Sequence, residues 1–332
     1  MIEVHVFNAL LRPDLRETGW FRALNFVNGL VAPSFLFVSG FVFLVASQRR
    51  LNELRRFGPA LGRQLKRVGQ IWLIAYLLHL PPAPLGQYFS AFGHLDWSAF
   101  YKVDILHCIC ATWLVLLASV VVIRSEGVLR IWLLTTALAA TLLAPWMWRM
   151  ELSPPLPAPL AAYFNDRLES LFPLFPWSGF MLAGALCAGL YLSPSGGDRI
   201  LPRFAALGLL LTALFGLLPA RIAPNTAWAA DPRPFFLRLG IVLVLLGACW
   251  WIGRRREPRT SSLFLTLSRE SLFIYVAHIV FLFAPVWGGR SLAEVLGRTH
   301  GPAYCAVASA ALIALMALAA SLWARRARGS RP

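Results

Sequence analysis

Acidic side chains are scarce in this chain. Fifteen Asp and Glu face 31 Lys and Arg, and charged residues fill only 14% of 332 positions, where a soluble domain carries about a quarter. Long polar stretches are missing too, with no low-complexity tail and no convincing internal repeat. These absences exclude an ordinary soluble enzyme. Cysteine is sparse as well. Cys108, Cys110, Cys187, Cys249 and Cys305 all fall inside or beside apolar runs, so no loop holds a pair that could build a disulfide framework. Cys108 and Cys110 are two apart, which puts them on different faces of a helix. No metal site is expected.

What is present is apolar. Hydrophobic residues make up 58% of the chain, thirteen of them tryptophan, and mean hydropathy is +0.64. Runs long enough to span a hydrocarbon core recur at about 24–47, 67–85, 104–123, 130–148, 173–193, 203–219, 235–252, 270–287 and 303–323. The expected fold is all-α: a polytopic membrane bundle of about nine full spans in one domain, residues 1–332, with a partial first span at 1–11. The net charge of +16 does not indicate nucleic acid, because the arginines sit in short blocks between apolar runs rather than on one basic face.

Those blocks fix an expected orientation. Segments 48–67, 124–130, 194–203, 253–269 and 324–332 hold 20 of the 31 Lys and Arg, and all fall on one side of the alternating spans. The positive-inside rule makes that side cytoplasmic, the C-terminus with it, and residues 12–23 external. MIEVHVFNALL therefore approaches the outer face from within the membrane or lies along it. It carries His5 and Asn8, three apart and on one helical face, with Glu3 pointing elsewhere.

Ionisable groups inside a bilayer are rare and tend to face a cavity or the bundle interior. KVDILHCICATWLVLL opens a span with Asp104 and His107 three apart. They read equally as a substrate-orienting pair at the outer mouth and as a buried structural contact. SRESLFIYVAHIVFLF places Ser271, Tyr275 and His278 on one stripe, where they would line a polar cavity or hold neighbouring helices together. His79, His94 and His300 fall at or beyond the outer boundary, where a histidine needs no special account.

Taken in order, LVAPSFLFVSGFVF, KVDILHCICATWLVLL, LFPLFPWSGFMLAGALCAGLY and SRESLFIYVAHIVFLF resemble the spans of bacterial proteins grouped with the heparan-α-glucosaminide N-acetyltransferase catalytic domain, within the wider transmembrane acyltransferase superfamily. In that superfamily the first span carries an Arg-Gly pair and, about ten residues later, a histidine, which His5 matches; the Arg-Gly pair has no counterpart here. Asp104, Phe175-Pro176-Trp177 and Tyr275-His278 match other landmarks. Cys110 stands where a glycine is usual. The outer loop RPDLRETGWFRALNFVNG lacks a histidine, which argues against heparan glucosamine as acceptor.

The resemblance implies an acyltransferase that moves an acyl group, acetyl above all, from cytoplasmic acetyl-CoA to a sugar amine or hydroxyl of a glycan or glycolipid beyond the bacterial inner membrane. His5, Asp104 and His278 are the expected catalytic residues. Asn8, Asn28, His107, Tyr275 and Trp177 are the expected substrate or oxyanion contacts, and Arg49, Arg50, Arg254, Arg255 and Arg256 the expected partners of the CoA phosphates. Membrane lipids and the glycan acceptor are the expected partners, with no nucleic acid; an oligomer is compatible with the sequence. The alternatives are a transporter or flippase whose cavity the same His, Tyr and Asp residues line, and a catalytically dead scaffold.

Overall fold

The computed structural model describes residues 1–81, 92–219, 222, 227–255, 263–286 and 289–329. Among them the chain is helical, with no named strand and one isolated bridge between Leu11 and His300. The helices used below are α1 (Ile2–Leu10), α2 (Gly19–Asn28), α3 (Val31–Gln48), α4 (Leu51–Arg55), α5 (Pro59–Leu77), α6 (Ile105–Val122), α7 (Glu126–Leu142), α8 (Leu174–Tyr191), α9 (Leu201–Leu217), α10 (Pro232–Arg255), α11 (Leu263–Arg269), α12 (Ser271–Phe283), α13 (Leu292–Leu296) and α14 (Pro302–Gly329).

Each expected span has a helix, and the protein is a polytopic helical membrane protein. Six helical stretches among the described residues are long and apolar enough to cross a bilayer; the pair α11–α12, bent by 74°, makes a seventh if it counts as one span. Two expected spans fall short of that measure. Helix α7 has 17 residues. Helix α5 carries Arg63, Lys66 and Arg67 in its first half, because Gly58 and Pro59 start the helix well before the apolar run begins. The span expected at 67–85 is thus helix by Pro59 and ends at Leu77; its residues 82–85 lie outside the described ones.

The contacts divide the chain into two compact units. One comprises Met1–Val31 with the described residues from Gly253 onward. In it α1 packs on α14 and α12. Val6, Phe7, Ala9, Leu10 and Leu11 join Phe21, Leu282, Cys305, Leu312 and Met316 in one buried cluster. Lipid tails are as apolar as these side chains, so close fit rather than transfer from water holds α1 in place. The end of α1 is pinned as well: Arg12 N donates to His300 O at 3.1 Å, and His300 N donates to Leu10 O at 3.1 Å. Two segments that charge counting put on one side therefore meet. Nine helical residues rise about 14 Å, roughly half a hydrocarbon core of about 30 Å.

The other unit comprises Ala32–Pro81 and the described part of Ala91–Ile252. Helix α8 is its centre, buried along most of its length and packed on α6 and α7. It crosses α3 backbone to backbone. A Cβ on Gly40 would fall well inside the Met181 carbonyl oxygen, and one on Gly184 inside that of Phe37. Only glycine at both positions permits this approach. At the far end of α6, Arg55 from α4 donates to Val120 O (3.2 Å) and Ile123 O (3.0 Å), covering carbonyls that the helix leaves unpaired.

Candidate functional site

In the second unit the polar groups converge where α6 begins. The chain enters α6 under restraint: Val103 N donates to Ser170 Oγ (3.1 Å), and Val103 O accepts from Leu171 N and Phe172 N (3.0 Å each). Asp104 then caps α6, its Oδ1 accepting from His107 N at 3.0 Å. An aspartate three residues ahead of the third helical position satisfies an N–H that has no partner within the helix. The same oxygen lies 2.7 Å from His107 Nδ1. Asp104 N also approaches that nitrogen, at 3.4 Å, but one nitrogen cannot donate and accept at once. The shorter contact to a carboxylate decides the tautomer: Nδ1–H donates to Asp104, and Nε2 keeps the lone pair. Asp104 and His107 are 5% and 1% exposed, and His107 Nε2 has no hydrogen-bond partner among the described residues.

Helix α5 walls this pocket. Trp72 and Tyr76, four apart, and His79, three further on, share one stripe that faces α6. The Tyr76 ring stands edge-on to His107 with centroids 4.4 Å apart, and His79 and Tyr163 follow at 5.7 and 6.3 Å. Trp72 Nε1 donates to Tyr163 Oη at 2.7 Å, and the Tyr76 and Tyr163 hydroxyls are 3.4 Å apart. Burial pushes the Tyr163 phenol well above its ordinary range, so it stays a protonated donor. His79 Nδ1 bonds Ala75 O at 2.9 Å. The sequence placed His79 among the histidines at the outer boundary that need no special account, and the structure instead sets it against His107. Its spacing from Trp72 and Tyr76 was the available signal.

At the other end of α5, Arg50, Arg63 and Arg67 surround a cavity of about 190 Å³ together with Ser47, Leu54, Ala60 and Gln64. The first turn of α5 has no side-chain cap, so its positive end adds to three guanidinium groups. Arg67 also lies over the Trp113 ring, 5.6 Å from its centroid. Of the arginines expected to meet phosphate, Arg50 is here. Arg49 is exposed and does not line the cavity, while Arg254 and Arg255 end α10. Arg256 lies outside the described residues. Arg63 and Arg67 were read from sequence only as markers of sidedness.

The first unit holds a second histidine cluster. His278 is fully buried on α12, its Nδ1 bonded to Ile274 O at 2.7 Å and its Nε2 without a partner among the described residues. The His5 ring lies 5.2 Å away, and the Phe283 ring is 6.0 Å from His5. Tyr275 is buried beside His278 at 5.7 Å, whereas Ser271, the third residue of the stripe read from SRESLFIYVAH, is half-buried. Asn28 Nδ2 donates to Glu3 Oε1 at 3.3 Å, whereas Asn8 is exposed. The expectation that Asn8 shares His5's surroundings fails there, because Val6, Phe7, Ala9 and Leu10 fill the buried side of α1. Trp177 belongs to the second unit, buried between Phe172 (4.7 Å) and Phe180 (6.1 Å).

One family model, described as heparan-alpha-glucosaminide N-acetyltransferase, catalytic, matches residues 1–216. That stretch includes His5, Asp104, His107 and the arginine cavity; Tyr275 and His278 lie beyond it. No curated protein and no solved structure matches the chain.

Proposed function

The chain belongs to the heparan-α-glucosaminide N-acetyltransferase catalytic family, a family of membrane acetyltransferases, and from that membership we propose that it moves an acetyl group from cytoplasmic acetyl-CoA to an amine or hydroxyl of a glycan or glycolipid at the outer face of the bacterial inner membrane. The observation that carries this reading is the division of labour along α5. Its beginning bears the arginine cavity and its end walls the His107 pocket. Thirteen residues separate Arg63 from Tyr76, about 20 Å of helix. A donor with its phosphates at one end and its thioester at the other suits such a spacing.

Arg50, Arg63 and Arg67 match the phosphates in charge and in hydrogen-bonding geometry. Acetyl-CoA supplies the acetyl group. His107 is the base, oriented by Asp104. Its Nε2 takes the proton from the acceptor as nitrogen or oxygen bonds to the acetyl carbon, and returns it to the thiolate as the carbon–sulfur bond breaks. Asp104 stabilises the imidazolium between those two transfers. The Tyr76 and Tyr163 hydroxyls are the available donors for the oxyanion.

A second reading puts the base at His5, favoured by its pairing with the buried His278 and its place inside the family match. Membranes containing the protein, incubated with labelled acetyl-CoA and a glucosamine-terminated glycan, separate the two. The first reading expects transfer that His107→Ala abolishes and His5→Ala leaves measurable. The opposite pattern moves the base to His5, and absence of transfer to any glycan overturns the function.

A further inference from the structure

Arg238 lies inside a membrane-crossing helix with no anion beside it among the described residues. It is the seventh residue of α10, a candidate span of 24 residues. Such a helix rises about 36 Å and overshoots a hydrocarbon core of about 30 Å by a few ångström at each end. Arg238, about 9 Å along it, therefore starts within the core, at the end opposite Arg254 and Arg255. Only 8% of the residue is exposed, so protein rather than lipid surrounds most of it. It also lies beyond residues 1–216, which the family model covers.

The guanidinium sits over the Trp228 ring, 4.4 Å from its centroid. Among the described residues it makes no ion pair, and its Nε is enclosed without a hydrogen-bond partner. The nearest acid in sequence, Asp231, is fully buried, but its oxygens accept from Ile222 N (2.9 Å) and Arg233 N (2.8 Å). An arginine does not shed its proton to escape such a place. A ring contact recovers only part of what a desolvated charge loses. Trp228 opens the short turn that leads into α10, so the side chain runs back towards the helix end, the depth at which lipid phosphates lie. The ring itself is 43% exposed, which sets the guanidinium next to the surface rather than deep in the bundle.

We propose that Arg238 and Trp228 form a binding site for the phosphate of one anionic membrane lipid. Ionisable groups at this depth mark a partner or a pathway, and basic pockets between spans take lipid headgroups. The rigid fork of a guanidinium meets two phosphate oxygens in parallel bonds, and the indole, amphipathic as interfacial tryptophans are, borders the glycerol. A lipid with net negative charge balances Arg238, whereas a zwitterionic headgroup brings its own cation. A soluble phosphate would have to leave water to reach this depth; a lipid phosphate is already there. The site is independent of acetyl transfer and of which histidine serves as base.

The test uses the full-length protein delipidated in a neutral maltoside detergent. Phosphatidylglycerol or phosphatidylcholine is added back, and bound lipid is counted by native mass spectrometry. Wild type should keep a single phosphatidylglycerol after loosely held lipids are stripped, and no phosphatidylcholine. Arg238→Gln should bind phosphatidylglycerol on the order of tenfold more weakly or worse, while Arg233→Gln, with the same change in charge at the same end of α10, should match wild type. Phosphatidylglycerol should raise the melting temperature of wild type by several degrees and leave that of Arg238→Gln unmoved. Equal retention by wild type and Arg238→Gln, or equal retention of both lipids, overturns the site. Inorganic phosphate that displaces phosphatidylglycerol and gives the same thermal shift makes it a site for a soluble anion and overturns the lipid. Should Arg238→Gln not fold, Arg238→Lys decides, since it keeps the charge but loses the fork. It should hold phosphatidylglycerol more weakly than wild type, and equal retention overturns the phosphate contact.

Discussion

Asp104 performs two tasks with one oxygen, and substitutions can separate them. It caps α6 by accepting from His107 N at 3.0 Å, and it holds His107 Nδ1–H at 2.7 Å. Asp104→Ala removes both. The lost cap costs about 1 kcal/mol, and the buried Nδ1–H left without an acceptor costs about 1–3 kcal/mol, so the expected destabilisation is about 2–4 kcal/mol. Asp104→Asn keeps the cap, since asparagine serves that position as well as aspartate, and its amide oxygen still accepts from both nitrogens. It should cost less than about 1 kcal/mol. What it removes is the negative charge that would stabilise a protonated His107. General acid–base catalysis is worth roughly 10²–10⁴ in rate, and on that scale Asp104→Asn should lower kcat by about a hundredfold with little change in unfolding temperature. Scanning fluorimetry in detergent reads the stability, and transfer of labelled acetyl groups reads the rate. If Asp104→Asn transfers at the wild-type rate, and the loss in Asp104→Ala merely tracks its folded fraction, Asp104 is a helix cap and nothing more.

Arg50→Ala, Arg63→Ala and Arg67→Ala should each raise KM for acetyl-CoA several-fold with a smaller change in kcat, and the effect should shrink as salt rises; unchanged KM in all three would remove the donor from that cavity. Gly184→Ala places a methyl against the Phe37 carbonyl, which must push α3 and α8 apart, at about 1–3 kcal/mol or more. An unchanged melting temperature in that variant would refute the backbone-to-backbone crossing. Arg55→Ala uncovers the Val120 and Ile123 carbonyls and should lower stability by about 1 kcal/mol, with Arg55→Lys recovering part of the loss. Glu294 accepts from Ser291 N (2.7 Å) and Oγ (2.9 Å), bonds that hold its carboxyl below the usual carboxylate range. A lowered folded-state value contributes stability that is present above the unfolded value and lost as pH falls through the folded one. The melting-temperature difference between wild type and Glu294→Gln should therefore narrow on acidification below about pH 4; a constant difference would argue against the capping bond.

The sequence alone determined the class of the protein and the places where its helices lie. Both follow from local quantities: the apolar length needed to cross a bilayer, and the Lys and Arg blocks between the runs. It misplaced α5, because the hydropathy pattern marks the apolar run while Gly58 and Pro59 mark the true start of the helix. It singled out Asp104 with His107 and Tyr275 with His278 because their spacing within one helix is short enough to read directly. It could not show that His79 closes on Asp104 and His107, that Arg50 shares a cavity with Arg63 and Arg67, or that His5 lies beside His278. Each of these meetings joins separate stretches of chain, and which faces touch is decided by how helices fit: α5 laid along α6, and α1 pinned to the start of α14 through Leu10, Arg12 and His300. Hydropathy fixes that a helix is buried in the membrane. Which neighbour it turns its polar stripe towards is set by side-chain shape along the whole crossing, and only the packed structure records that.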